Sequence, residues 1–134
     1  MAKTVLVVDD MAFVRKVLIE ILTQAHYQVI GEAADGIEAV SLFEKLRPNL
    51  VTMDIVMPQM SGLDATKRIL KLDKDARVVI ISAMGQENLV MEAIAVGARD
   101  YILKPFTAEE VIKTAERALL GDAYMMNRTS PKSL

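Results

Sequence analysis

Val5-Leu6-Val7-Val8-Asp9-Asp10, residues 5–10, sets an unbroken aliphatic run directly before two carboxylates. The same device recurs along the chain. Leu50-Val51-Thr52-Met53 ends in Asp54, Val78-Val79-Ile80-Ile81 ends in Ser82, and Tyr101-Ile102-Leu103 ends in Lys104, which precedes Pro105. Short apolar runs without polar alternation fit parallel strands covered on both faces, which predicts strands at 4–8, 49–53, 78–82 and 100–103. Parallel strands of one sheet bring all their carboxyl ends to one edge. Asp9, Asp10, Asp54, Ser82 and Lys104 then share a pocket suited to a divalent cation and to a phosphoryl group.

Between these runs apolar residues recur at helical spacing. Val14, Val17, Leu18, Ile21 and Leu22 form one stripe, Val40, Phe43 and Leu46 a second, and Leu63, Thr66, Ile69 and Leu70 a third. Val90, Ala93 and Ile94 form a weaker fourth, and Val111, Ala115, Ala118 and Leu119 a fifth. Asp35-x-x-Glu38 and Thr107-x-x-Glu110 have the spacing of capping boxes, and Ser61-Gly62 opens the third helix. Gln28-Val29-Ile30-Gly31-Glu32 is more polar and reads as an edge strand. Alternating strands and helices predict an α/β fold with right-handed crossovers. Five such units can wind into a flavodoxin-like (βα)5 doubly wound parallel sheet of order 2-1-3-4-5, with its ligand site at the switch point between strands 1 and 3. Asp9, Asp10 and Asp54 fall there. One domain is expected over residues 1–121, with Gly121 ending the last helix, followed by a polar, mobile tail over 122–134.

The chain has 134 residues, a net charge of −2, one histidine and no cysteine. That length can bury a sizeable core in one domain. The charge balance offers no field for nucleic acid. Without cysteine there is no disulfide scaffold and no thiol chemistry, which suits a reducing cytosol. No apolar stretch approaches the roughly 20 residues of a membrane span, and the N-terminus lacks a signal-type apolar core. A cytoplasmic location without membrane insertion is therefore expected. A single histidine, His26, rules out a multi-histidine metal site and is expected to end the first helix in solvent.

Three carboxylates held together repel one another, and at least one pKa rises unless a cation intervenes. Mg²⁺ removes the problem, taking about six oxygen ligands and keeping several waters. Asp10 and Asp54 can give one oxygen each, Asp9 can act directly or through water, and a backbone carbonyl just after Asp54 can add another. Asp54 is the candidate nucleophile, able to form an acyl phosphate. Charge on the transferred group would be met by Mg²⁺, by the Lys104 ammonium, and by the Ser82 hydroxyl with nearby backbone N–H groups. A cis Lys104-Pro105 bond would aim the lysine inward. Met11, Met57, Met60 and Met84 are expected to fill loop gaps around the site rather than to form an adaptable contact surface.

The sequence resembles the receiver domain of two-component response regulators, and within that family the stand-alone receivers of chemotaxis. The resemblance is carried by Val7-Val8-Asp9-Asp10, Met53-Asp54-Ile55-Val56-Met57-Pro58, Gly62, Ser82-Ala83, Gly97-Ala98, Asp100-Tyr101 and Lys104-Pro105-Phe106, which together span nearly the whole chain. It implies that Asp54 accepts a phosphoryl group from a histidine kinase, that Asp9 and Asp10 bind Mg²⁺, that Lys104 contacts the phosphoryl group, and that Ser82 signals its arrival. The Ser82 hydroxyl would move towards the new oxygens, leaving space for the ring of Tyr101 to turn inward and change the face formed by helix 4, strand 5 and helix 5. Val56 and Met84 depart from the polar residues frequent at their positions in the family. Val56 can still give its backbone carbonyl to the metal, but neither side chain can orient water, so both are expected to slow hydrolysis of the acyl phosphate.

The first functional expectation is thus a phosphorylation switch in the cytoplasm, a monomer, with a chemotaxis-type kinase and a flagellar motor switch protein as partners and a possible phosphatase. A phosphorelay intermediate or a single-domain regulator of another pathway is the alternative. No output domain follows residue 120, so DNA binding by this chain alone is not expected. A phosphatase with an aspartyl-phosphate intermediate, of the haloacid dehalogenase type, needs a second aspartate where Val56 stands. A flavin-binding flavodoxin needs a Ser/Thr/Gly-rich phosphate cradle where Asp9 and Asp10 stand.

Overall fold

The computed structural model describes residues 2–120. The expected helix end at Gly121 and the expected tail over 122–134 lie outside them. Five strands and five helices alternate: β1 Thr4–Val8, α1 Ala12–Gln24, β2 Gln28–Ala33, α2 Gly36–Leu46, β3 Leu50–Asp54, α3 Gly62–Leu72, β4 Val78–Ser82, α4 Glu87–Val96, β5 Asp100–Leu103 and α5 Ala108–Leu120. The strands form one parallel sheet in the order β2-β1-β3-β4-β5, the flavodoxin-like winding expected.

The unbroken apolar character of the central strands follows from burial on both faces. Leu6 and Val8 of β1 point into one layer with Phe43 of α2, Ile69 of α3 and Val90 of α4. Val5 and Val7, their neighbours in sequence, point into the other layer with Leu18 and Leu22 of α1 and Val111, Ala115 and Ala118 of α5. Every residue of β3 and β4 is buried, so neither strand leaves room for a polar face. β2 is an edge strand with a mixed burial pattern, as its polarity suggested.

β3 differs from expectation in its bounds and β5 in its burial. β3 runs from Leu50 through Asp54, one residue later than the apolar run implied. Asn49 lies outside it because its side chain is committed to β1: Thr4 N–H and Oγ1 donate to Asn49 Oδ1 at 2.8 and 3.0 Å. β5 was expected to be covered on both faces and is not. It is the other edge, as the order 2-1-3-4-5 requires, but one face is open: Ile102 is buried while Tyr101 and Leu103 are 51% and 42% exposed. A four-residue strand is too short for an alternation of this kind to declare itself when both exposed positions are apolar.

The helix starts carry the expected caps. Asp35 accepts the Glu38 N–H at 2.8 Å, and Ser61 accepts the Asp64 N–H at 3.1 Å. Thr107 and Glu110 form a reciprocal pair, each side chain accepting the other's N–H, at 3.1 and 2.9 Å. His26 lies exposed just past α1 with φ 73°. Among the described residues no helix is long and apolar enough to cross a membrane.

Candidate functional site

The carboxyl ends of β1, β3 and β5 bring Asp9, Asp10, Asp54 and Lys104 together, and β4 ends beside β3 and β5 in Ser82. Asp9 is fully buried just past β1, its N–H donating to the Ala33 carbonyl at the end of β2 at 3.0 Å. Both oxygens of its carboxylate are engaged: Oδ1 accepts the Met11 N–H at 2.9 Å and Oδ2 accepts Lys104 Nζ at 2.9 Å. Asp10, next in sequence, is exposed. Asp54 closes β3 and is nearly buried, with Oδ1 3.6 Å from Lys104 Nζ. Asp9, Asp10 and Asp54 each offer an oxygen within 4.8 Å of the others. The Lys104-Pro105 peptide is cis.

Among the described residues one lysine, Lys104, ion-pairs with this cluster of three carboxylates, and the electrostatics reflect the imbalance. Burial, then the charge of Asp9, push the Asp54 carboxyl up to about 7; Lys104 opposes them, while a hydrogen bond with Asp10 and its charge add to the rise. Burial acts to lower the Lys104 pKa. The hydrogen bond to Asp9 and the charges of Asp54 and Asp9 outweigh it, so the ammonium is held above the usual lysine value.

Ser82 is buried at the end of β4, and its carbonyl accepts the Lys104 N–H at 2.7 Å. It also lines a cavity of about 170 Å³ shared with Glu87, Val90, Met91, Tyr101 and Leu103. The half-exposed Tyr101 stands in the wall of that cavity. The loop after β3 is tied down at both ends. Ile55 N–H donates to the Ile81 carbonyl at 3.0 Å, and Gly62 N–H donates to the Ile55 carbonyl at 2.9 Å. Gly62 has no substitute here, because a Cβ on it would lie 2.0 Å from the Asp54 carbonyl oxygen. The helix following β3 thereby packs directly against the backbone of the central aspartate.

The methionines divide. Met57 is buried and Met60 packs against the core, filling gaps as expected. Met11 and Met84 are 54% and 79% exposed and fill nothing. Val56 is half exposed on the loop after Asp54. Sequence reasoning did not single out Arg15, whose Nη1 donates to the Asp9 carbonyl at 2.7 Å while Nε donates to Glu32 at 2.7 Å. It fastens the turn carrying the two acids to the end of β2. A cation one turn into the helix that follows an acidic pair was the only available signal.

The family profile described as the response regulator receiver domain matches residues 5–116. This chain belongs to that family. The receiver is 50% identical over 117 residues to the chemotaxis protein CheY of Thermotoga maritima, covering 87% of this chain and 98% of that one. It is 49% identical over 115 residues to the Bacillus subtilis protein CcdB, covering 86% and 96%. Among solved structures, the crystal structure of the CheX-CheY-BeF3-Mg+2 complex from Borrelia burgdorferi matches with a TM-score of 0.81 at 39% identity, covering 84% of the receiver and 86% of that chain.

Proposed function

We propose that this receiver is a phosphoacceptor switch in which Asp54 takes a phosphoryl group from a phosphohistidine of a histidine kinase. The observation that carries the reading is the setting of Asp54: nearly buried at a strand end, within the carboxylate cluster, and 3.6 Å from the ammonium of Lys104. Its carboxylate forms an O–P bond as the donor's N–P bond breaks, and the imidazole leaves with the bonding pair. Lys104, already held by Asp9, meets charge on the phosphoryl oxygens. Ser82 offers its hydroxyl from the neighbouring strand end.

The donor set fits Mg²⁺. It is all oxygen, crowded, and short of positive charge, as the Asp54 pKa of about 7 reflects. Asp10, Asp54 and the backbone carbonyl of Val56 would hold the ion, with Asp9 joining directly or through water. Bound there, it neutralises the carboxylates and stabilises charge on a phosphoryl oxygen. The group on Asp54 draws Ser82 towards it. Tyr101 then turns into the cavity beside Ser82, and the face of α4, β5 and α5 changes its affinity for a partner.

The chain acts in the cytoplasm as a signalling switch rather than by turnover of an external substrate. The CheY relative supports a chemotaxis pathway, with a chemotaxis-type kinase and a flagellar motor switch protein as partners. CcdB, matched over 96% of its length and not named as a chemotaxis protein, leaves a single-domain regulator of another pathway as the second reading. Incubation with Mg²⁺ and acetyl phosphate should add one phosphoryl group to the intact mass, and Asp54→Asn should take none. A group mapped to another residue, or none under excess donor, overturns the proposal. Phospho-dependent capture of a switch-complex protein supports the chemotaxis reading; failure to bind either that protein or a chemotaxis-type kinase in any state removes it.

A further inference from the structure

The loop between β4 and α4 is held by side chains of the helix it leads into. Ala83, the first residue beyond β4, donates its N–H to Gln86 Oε1 at 2.8 Å. Gly85 donates its N–H to Glu87 Oε2 at 3.1 Å. Residues 83–85 are all exposed, and Gly85 turns with φ +90° into space that holds no atom within 4 Å of where a Cβ would be. Packing contributes little to the conformation of this turn. Gln86 occupies the N-cap position of α4 yet makes no side-chain cap; its amide oxygen reaches back along the loop instead.

The orientation of the Ser82–Ala83 peptide gives that reach a consequence. Its carbonyl points to β5, where it accepts the Lys104 N–H at 2.7 Å. In a planar trans peptide the N–H points the opposite way. The Ala83 N–H is therefore directed to the β3 side, where Asp54 pairs in register with Ile81. A backbone N–H next to Ser82 and facing the end of β3 is the kind of donor that an anion on Asp54 needs. It already has an acceptor.

We infer that Gln86 is a positioning residue that competes with the phosphoryl oxygen for the Ala83 N–H. The inference rests on Asp54 as the acceptor. In the unmodified protein the neutral amide oxygen of Gln86 satisfies the donor and holds the loop. An anionic oxygen arriving on Asp54 makes the stronger, charge-assisted bond and displaces it. The exchange frees the Gln86 side chain at the start of α4, so the helix that lines the Tyr101 cavity receives the signal by loss of a tether as well as by movement of Ser82. The lost bond opposes phosphoryl binding, and Gln86 sets how readily the acceptor is loaded.

The test is titration of the metal-loaded protein with beryllium fluoride, followed by amide NMR, in wild type, Gln86→Met and Gln86→Ala. Both substitutions remove the amide acceptor without removing a helix cap. Because a typical hydrogen bond has a modest net worth, affinity should rise roughly three- to tenfold in both variants. Before ligand is added, the Ala83 amide should exchange faster with solvent in both variants than in wild type; after saturation its resonance should coincide in all three. A structural role for Gln86 in α4 predicts weaker binding instead. A wild-type response that depends on Asp54, combined with unchanged or reduced affinity in both variants, overturns the inference alone. No Asp54-dependent response in wild type overturns the acceptor reading and this inference with it.

Discussion

At the scale of single residues, adjacency in sequence and equivalence in space part company. Asp9 and Asp10 are neighbours, yet Asp9 is buried with both carboxylate oxygens bonded, and Asp10 is open to solvent. The first is suited to fixing Lys104 and the second to meeting an incoming cation. Val56 and Met84 show the same dependence on setting. They are 50% and 79% exposed, on the loops that follow β3 and β4, and neither can hydrogen-bond a water with its side chain. An acyl phosphate on Asp54 therefore lacks a side chain at these positions to align an attacking water. The double variant Val56→Asn/Met84→Glu should shorten the phosphoryl lifetime by about tenfold, less than the roughly hundredfold or more that a positioned proton-transfer group contributes. The decay of radiolabelled phosphoprotein measures it directly. A wild-type lifetime equal to or shorter than the variant's would contradict the shielding role.

At the scale of elements, what the sequence made legible is what two-sided burial dictates. β1, β3 and β4 could be read because burial on both faces makes each almost wholly apolar, Thr52 within β3 apart, and the polar residue after each run then marks the sheet edge. The acidic cluster was legible for the same reason: once the strands are parallel, their ends coincide. β5 was misread because Tyr101 and Leu103 are apolar but exposed, a choice that local periodicity cannot distinguish from burial. Arg15 and Gln86 were missed because their roles depend on backbone atoms of distant or looped segments, which no spacing rule encodes. The exposed side of β5 also has a neighbour that gives it meaning, the 170 Å³ cavity between Tyr101, Ser82 and α4. Loading with beryllium fluoride and Mg²⁺ should bring Tyr101 ring protons into contact with Val90 and Met91, read as new nuclear Overhauser effects. The same experiment on Ser82→Ala should show the contacts weakened at equal ligand occupancy. A ring that keeps its exposed position in the loaded wild type removes Tyr101 from the switch.

At the scale of the whole molecule, the acidic cluster couples stability to protons and to metal. The Asp54 carboxyl is pushed from 3.8 to about 7 by burial and by Asp9. Below about pH 4 it is protonated in both the folded and the unfolded chain, so it costs the fold nothing. Between pH 4 and 7 the unfolded chain ionises it while the folded chain does not, and stability falls as pH rises. Above pH 7 the full cost stands, roughly 1–2 kcal/mol once solvent screening of this partly open site is discounted. Asp54→Asn removes the titrating charge and keeps the side-chain shape. Without divalent metal at pH 8 the variant should melt about 5 °C above wild type, and the gap should close as pH is lowered through 7 towards 4. Mg²⁺ should raise the wild-type melting temperature at pH 8 by mass action on the folded state, and less so in Asp54→Asn, which offers the ion one carboxylate fewer. Scanning calorimetry across pH, with and without Mg²⁺, reads all of these together. A variant no more stable than wild type at pH 8 would mean that the charge of Lys104, 2.9 Å from Asp9 and 3.6 Å from Asp54, already compensates the cluster. The fold would then place no standing demand for a cation at its carboxyl edge.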